Sequence, residues 1–244
     1  MKRRLLILGG TGEAAALAEQ AGKKFGDSLD VVSSLAGRVN KPRPLPGTIR
    51  LGGFGGADGL ADYLMAEKID FLIDATHPFA TRISANAHLA CDRTKTPRLI
   101  LERPPWPDPD GVVRVDDFAA AAQAVRKLGK RAFLSFGHQG LEAFADLGDV
   151  KLVIRVIEPP SSLPNATLIT ERPPFTRAHE KKLLSDHQID VLVSKDSGGA
   201  ALPAKITAAQ EMALAIILIA RPAPEPGDTV TTVEDALMWL GARP

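Results

Sequence analysis

Cysteine and tyrosine are almost missing from this chain: each occurs once in 244 residues, as Cys91 and Tyr63. A single cysteine excludes an internal disulfide and any multi-cysteine metal site. The five histidines do not supply ligand spacing either, because His179-Glu180 begins a His-Glu-x-x-His match that ends in Leu183. No metal is expected. Charge of one sign is also lacking, with 30 basic residues against 29 acidic ones. That balance provides no whole-chain field to hold nucleic acid or an anionic membrane. Long apolar runs are absent too. The longest, Met212 to Ala220, has nine residues, about half of the roughly 18 that a membrane helix needs. Met1-Lys2-Arg3-Arg4 has the look of an export signal, but Leu5 to Leu8 runs straight into Gly9-Gly10. The expectation is a cytoplasmic protein whose first strand starts here.

The chain does contain short Val, Ile and Leu runs alternating with Ala-rich segments of helical period, the pattern of β-α units around a parallel sheet. Strands are expected at Arg4–Leu8, Leu29–Val32, Thr48–Leu51, Asp70–Ile73 and Pro97–Leu101, with helices at Glu13–Lys24, Asp58–Glu67 and Phe79–Arg93. Residues 102–111 then carry four prolines, which forbid a helix interior and favour an extended connector. Beyond it, strands are expected at Ala132–Ser135, Leu152–Ile157, Thr167–Ile169, Val191–Val193 and Ala215–Ile219. The helices expected there are Phe118–Leu128, Thr176–Ser185, Ile206–Met212 and Glu234–Leu240.

The two halves share a repeat. A shift of 118 residues aligns Arg103-Pro104, Asp110, Val112, Val115 and Asp117 with Arg221-Pro222, Asp228, Val230, Val233 and Asp235. Those six identities in fifteen positions compare with about one expected from composition. The reading is an α/β protein of two Rossmann-like lobes with parallel sheets, related by internal duplication, with a cleft between them. A chance recurrence of strand–proline–turn–helix grammar is the competing account. The expected division is 1–102 as a dinucleotide-binding domain, 103–111 as linker and 112–244 as a second α/β domain. Whether residues 228–244 stay on the second domain or pack back on the first is left open.

In a parallel sheet, ligands collect beyond the carboxyl ends of the strands. Gly9-Gly10-Thr11-Gly12-Glu13 follows the first strand and opens a helix, and Gly10, Gly12 and Ala15 fit G-x-G-x-x-A. Bare backbone there lets a pyrophosphate approach the helix N-terminus. A tight turn that merely needs glycine is the bland alternative. An NAD enzyme would carry an acid after the second strand, but this chain has Ser33-Ser34 and, further on, Arg38. Two hydroxyls and a guanidinium suit a 2′-phosphate, so the cofactor expected is NADPH. Arg38 as a solvated loop residue is the alternative. Asp74-Ala75-Thr76 ends the fourth strand, and Pro78 suits the first position of the next helix. This places His77 near the rim, as a group touching nicotinamide or substrate, or as a simple cap. In the second half, Ser135 to Gly140 and Ser194 to Gly199 form small, glycine-containing loops, and Lys195 adds a point charge. Glu102-Arg103-Pro104-Pro105-Trp106 and Glu171-Arg172-Pro173-Pro174-Phe175 offer arginines for carboxylates and flat rings, or else hinge and packing residues.

Taken in order, Gly9 to Glu13, Asp74-Ala75-Thr76-His77-Pro78-Phe79-Ala80, Glu102 to Trp106, Ser135-Phe136-Gly137 and Lys195 to Gly199 resemble the precorrin-6A reductase family of cobalamin biosynthesis, which includes cobalt-precorrin-6A reductases. The resemblance implies NADPH-dependent reduction of one double bond in a tetrapyrrole-derived macrocycle, with cobalt-precorrin-6A as an alternative substrate. The partner implied is that small molecule, with no nucleic acid and no membrane; transient contact with neighbouring pathway enzymes stays open. Such a substrate carries acetate and propionate arms, so Arg43, Arg82, Arg103, Arg172 and Lys195, with Ser197 and Gly198, become candidates to dock them. His77 and Lys195 are the candidate proton donors, beside solvent and the substrate's own tautomerism. A short-chain dehydrogenase is excluded, because Glu67 stands where its Tyr-x-x-x-Lys lysine would follow Tyr63. A non-enzymatic NADPH sensor would bind the cofactor without oxidising it.

The reading of Arg38 is testable. Losing a charged hydrogen bond costs about 1.5–3 kcal/mol, so Arg38→Ala is expected to weaken NADPH roughly 10- to 150-fold and to leave NADH almost unchanged. Equal losses in cofactor titrations would show that Arg38 does not read the 2′-phosphate.

Overall fold

Runs such as Leu5-Leu6-Ile7-Leu8 are apolar on both faces, which suits a strand covered by helices on either side. A computed structural model describes residues 2–37, 44–107, 111–157, 166–199 and 202–243. Its strands, in chain order, are β1 (Arg3–Leu8), β2 (Leu29–Leu35), β3 (Thr48–Leu51), β4 (Phe71–Asp74), β5 (Arg98–Leu101) and β6 (Val112–Val115). They continue as β7 (Arg131–Leu134), β8 (Lys151–Val156), β9 (Ala166–Thr170), β10 (Val191–Lys195), β11 (Ala215–Ile219) and β12 (Asp228–Val230). The helices are α1 (Gly12–Phe25), α2 (Gly56–Ala66), α3 (Thr81–Thr94), α4 (Phe118–Leu128), α5 (Arg177–Asp186), α6 (Ala204–Glu211) and α7 (Val233–Gly241).

Two six-stranded sheets result, ordered β12-β5-β4-β1-β2-β3 and β6-β11-β10-β7-β8-β9. Every neighbouring pair is parallel. Counted from β1 in one and β7 in the other, both sheets follow the Rossmann order, with the strand-order reversal at β1/β4 and at β7/β10. The sixth strands are exchanged. β6 follows β5 in the chain yet pairs with β11, and β12 follows β11 yet pairs with β5. The chain therefore divides into one unit of Met1–Pro104 with Pro222–Pro244 and another of Pro105–Arg221. The segments aligned by the 118-residue repeat contain the two crossings. Residues 228–243, undecided from sequence, belong with the first sheet.

In the first unit, α1 and α7 cover one face of the sheet: Ala14, Leu17 and Ala21 meet Ala236, Leu237 and Leu240 over Leu5, Ile7 and Phe71. Leu60, Leu64, Ala87 and Cys91 from α2 and α3 cover the other face over Leu6, Leu8 and Leu72. In the second unit, Phe133, Val153, Leu192 and Leu218 pack with Leu184, Ile206 and Trp106. Trp106 is thus a packing residue, not an offered ring, since its indole lies in that core. Arg155 and Glu180 are both buried there and joined by two hydrogen bonds of 3.1 and 2.9 Å. No described helix is long and apolar enough to cross a membrane.

Three elements differ from the sequence reading. β6 and β12 have four and three residues and directly follow the proline-rich stretches at 102–111 and 221–227, which read as connector. α3 starts at Thr81, not Phe79. The reason is a preceding turn in which the Phe79 N–H donates to His77 Nδ1 at 3.2 Å and the Ala80 N–H donates to the His77 carbonyl at 2.7 Å. Pro78 therefore lies in that turn and outside the helix.

The exchange makes the last turn of the chain part of the first unit's core. Leu240 is 2% exposed, and truncating a buried leucine costs about 2–5 kcal/mol. Leu240→Ala is expected to speed amide hydrogen exchange in β1, β5 and α1 while β7 and β10 keep their protection. Loss confined to residues 105–221 would contradict this assignment.

Candidate functional site

The crevice of the first sheet opens where the loops after β1 and β4 part. Backbone hydrogen bonds fix both loops: the Ala75 N–H donates to the Leu8 carbonyl at 3.0 Å, and the Gly9 N–H to the Ser34 carbonyl at 2.9 Å. Thr11 ties them together. Its hydroxyl accepts from the Ala14 N–H at 3.1 Å, capping α1, and donates to the Ala75 carbonyl at 2.7 Å. Gly10 has φ +110°, and a Cβ placed on Gly10 or Gly12 would meet no protein atom within 4 Å. Both glycines therefore leave bare backbone facing open space at a helix N-terminus, the arrangement that accepts an anion. Gly9 differs, since a Cβ there would stand 3.3 Å from Leu35 Cδ2. It permits close packing.

Beside this turn lies a solvent-open cavity lined by Gly9, Gly10, Thr11, Ala15, Ser33 and Leu45. Ser33 is 1% exposed, and its Oγ finds no hydrogen-bond partner among the described residues. A buried hydroxyl left unsatisfied costs about 1–3 kcal/mol. A dinucleotide ribose or phosphate reaching the cavity would supply the missing partner, so the residues present fit that group. Ser34 occupies the next position on β2, and strand alternation turns its side chain to the opposite face. Only Ser33 of the two lines the cavity. Arg38 and Arg43 lie outside the described residues. Glu13, in the first turn of α1, is held by Arg103 at 3.3 Å, which offsets its negative charge beside the turn.

The β4 end forms a second wall. Asp74 is buried, and its Oδ1 accepts from the Thr76 N–H at 3.1 Å and the Thr76 hydroxyl at 2.7 Å. A pocket there is lined by Asp74, Thr76, His77, Ser84, Glu102 and Glu225. With Nδ1 accepting from Phe79, the His77 ring carries its proton on Nε2. Arg82 is exposed in the first turn of α3.

The reversal point of the second sheet brings together the loops after β7 and β10. Lys195 is buried at the end of β10, where its Nζ donates to Gln139 Oε1 at 2.8 Å and lies 5.3 Å from the centre of the Phe118 ring. Ser197 and Gly198 follow, with the Ser197 N–H donating to the Lys195 carbonyl at 2.9 Å. Asp196 is buried and accepts from the Trp106 N–H at 3.3 Å and from Arg114 at 2.7 Å, with Arg221 at 3.7 Å. One carboxylate thus holds the chain beside both crossings. Arg172 is exposed, while the Phe175 ring is engaged by the Arg155 guanidinium at 3.8 Å and the His179 imidazole at 5.6 Å, which favours packing for Phe175. Sequence reasoning missed Arg114, Asp196 and Lys205. Asp196 stood within the quoted Lys195–Gly199 loop and could have been singled out as an acid beside a glycine pair. Arg114 and Lys205 carry no local motif. Among the described residues no group of three or more His, Cys, Asp or Glu side chains could hold a metal ion.

Comparison with known proteins places these loops in context. Residues 4–241 match the family model described as precorrin-6x reductase CbiJ/CobK. The chain is 46% identical over 243 residues to a precorrin-6A reductase of Rhodococcus erythropolis, covering 98% of this chain and 97% of that one. It is 28% identical to a cobalt-precorrin-6A reductase of Priestia megaterium, covering 97% of each. Among solved structures, CobK precorrin-6A reductase superposes with a TM-score of 0.89 at 40% identity, over 98% of this chain and 96% of that one.

Proposed function

Because the chain belongs to the precorrin-6x reductase family, whose chemistry calls for a nicotinamide cofactor, we propose that it reduces one ring double bond of precorrin-6A with NADPH. The observation that carries the cofactor site is the bare backbone at Gly10 and Gly12 beside the unpartnered Ser33 hydroxyl. When bound, the nicotinamide supplies a hydride. Gly9 to Gly12 and the N-terminus of α1 receive the pyrophosphate, and Ser33 hydrogen-bonds the ribose or its 2′-phosphate. Arg38 completes the phosphate recognition expected from sequence, without Ser34, whose side chain faces away from the cavity, and Glu13, Asp74, Ala75 and Thr76 shape the turn. Metal-free precorrin-6A is favoured over its cobalt form by the higher identity to precorrin-6A reductases, 40–46% against 27–32%.

The remaining work falls to cations and to a proton. Arg43, Arg82, Arg103, Arg172 and Lys195, with Ser197 and Gly198, dock the carboxylate arms, and orientation supplies much of the rate. The proton that completes the reduction comes from His77, from Lys195, or from solvent.

Mixing purified protein with NADPH and precorrin-6A is expected to bleach the cofactor absorbance, faster than with NADH or with cobalt-precorrin-6A. Gly12→Val is the companion test. With open space around the new Cβ, the variant is expected to fold normally yet bind NADPH at least about tenfold more weakly, a loss of about 1.4 kcal/mol. Unchanged affinity would remove the pyrophosphate from this turn.

Proton delivery is separable under single-turnover conditions with saturating substrates. If His77→Ala or Lys195→Ala slows hydride transfer by about 100-fold or more while binding is kept, that side chain has an essential proton or electrostatic role. A loss confined to substrate affinity would assign it to carboxylate docking and leave the proton to solvent.

A further inference from the structure

The second sheet repeats the strand order of the first, so it has its own reversal crevice, between the loops after β7 and β10. In the first sheet that position holds a glycine turn. In the second it holds lysines. Lys195 enters from the end of β10, and Lys205 enters from the first turn of α6, ten residues later. The Lys205 ammonium donates to the carbonyl of Ser135, the residue just past the end of β7, at 3.3 Å. Lys195 reaches Gln139 of the same loop. Both lysines therefore close on the β7 loop from the β10 side.

This concentration of positive charge is unusual in its place. A helix N-terminus already disfavours a cation, and the Pro203 N-cap of α6 makes no side-chain capping hydrogen bond. The groups acting on Lys205 are Arg155 from β8, Lys195 from β10 and Glu180 from α5. Glu180, the one carboxylate among them, is held by both terminal nitrogens of Arg155. Arg155 is in turn 3.8 Å from Glu171, which His179 contacts at 3.0 Å. Lys205 is half-buried, with its ammonium against the Ser135 carbonyl. Burial, first, and then the neighbouring cations lower its pKa to about 8. An anion in the crevice would relieve that strain on the charged form.

We infer that Lys205 and Lys195 form a two-lysine seat at the β7/β10 crevice that binds a carboxylate arm of the substrate, with Lys205 a substrate-binding residue of the reductase. This rests on the reading of the chain as a precorrin-6A reductase, and it assigns the second unit a ligand crevice of its own. The sign of its pH dependence follows from the geometry. The seat is fully charged below the pKa of free Lys205, and affinity is lost as pH rises through about 8, because the neutral amine offers no countercharge.

Equilibrium titration of the full-length protein with precorrin-6A, without NADPH, tests the seat. At pH 7, Lys205→Gln is expected to weaken binding about 10- to 100-fold, whereas Lys205→Arg stays within about threefold and NADPH affinity is the same in all three proteins. The decline in affinity above pH 8 is expected in the wild type and absent in Lys205→Arg, whose guanidinium stays charged. Citrate serves as an independent carboxylate probe. It should shift the amide resonances of Ser135 to Gln139 and Lys195 to Gly199 in the wild type and leave them unmoved in Lys205→Gln. Equal precorrin-6A affinity in the wild type and Lys205→Gln overturns the inference. So does an equal loss of NADPH affinity, which would mark Lys205 as structural, or a citrate response that persists in Lys205→Gln. If the wild type leaves precorrin-6A unbound and unreduced while citrate behaves as expected, the substrate assignment fails and the carboxylate seat stands.

Discussion

Parallel pairing of β1 with both β2 and β4, and of β7 with both β8 and β10, is the constraint on which both crevices depend. A parallel neighbour can be reached only through a crossover. The crossover from β1 leads to β2, and the one from β4 leads to β5, on opposite sides. The loops leaving β1 and β4 must therefore separate, and the gap cannot be filled by either helix. The same geometry recurs at β7 and β10. Ligand chemistry is then decided by which residues happen to end those four strands.

Those residues differ in kind. After β1, the chain invests in glycine and one threonine, so backbone N–H groups and the end of α1 form the polar surface. After β10, it invests in side-chain charge, with Lys195 followed by the buried Asp196. A backbone cradle suits a group that must approach closely, such as a pyrophosphate. Flexible lysines suit carboxylates on arms whose positions vary. On the proposed reading, two copies of one architecture would serve two anion types.

The exchange of β6 and β12 ties the units covalently at two points. The first unit completes its sheet with a strand and a helix, β12 and α7, supplied from beyond the crossing at Arg221-Pro222, whereas the second is one continuous segment from Pro105 to Arg221. Leu237 and Leu240 are as buried as β-strand residues, so α7 contributes to the core of the first unit. Asp196 adds a polar restraint beside both crossings through Trp106 and Arg221. Removing this buried carboxylate would take away the acceptor of the Trp106 amide and of Arg114, beside the Arg221 guanidinium.

The sequence by itself determined the β-α alternation, the parallel sheets and the glycine turn, because hydrophobic period and turn chemistry are local properties. The lone cysteine and the balanced charge likewise limited the chemistry before any fold was known. Three matters were decided only in three dimensions. Partner choice for β6 and β12 depends on which edge each strand meets, and three or four residues carry no record of that. Ser33 and Ser34 read alike in the chain, yet the pleat sends one into the cavity and the other to the opposite face. Lys205 sits in an Ala-rich helix with nothing local to distinguish it; its significance arises because α6 brings its ammonium to the Ser135 carbonyl, 70 positions away in sequence. Burial and charge proximity are properties of packing, and packing is what a linear pattern leaves out.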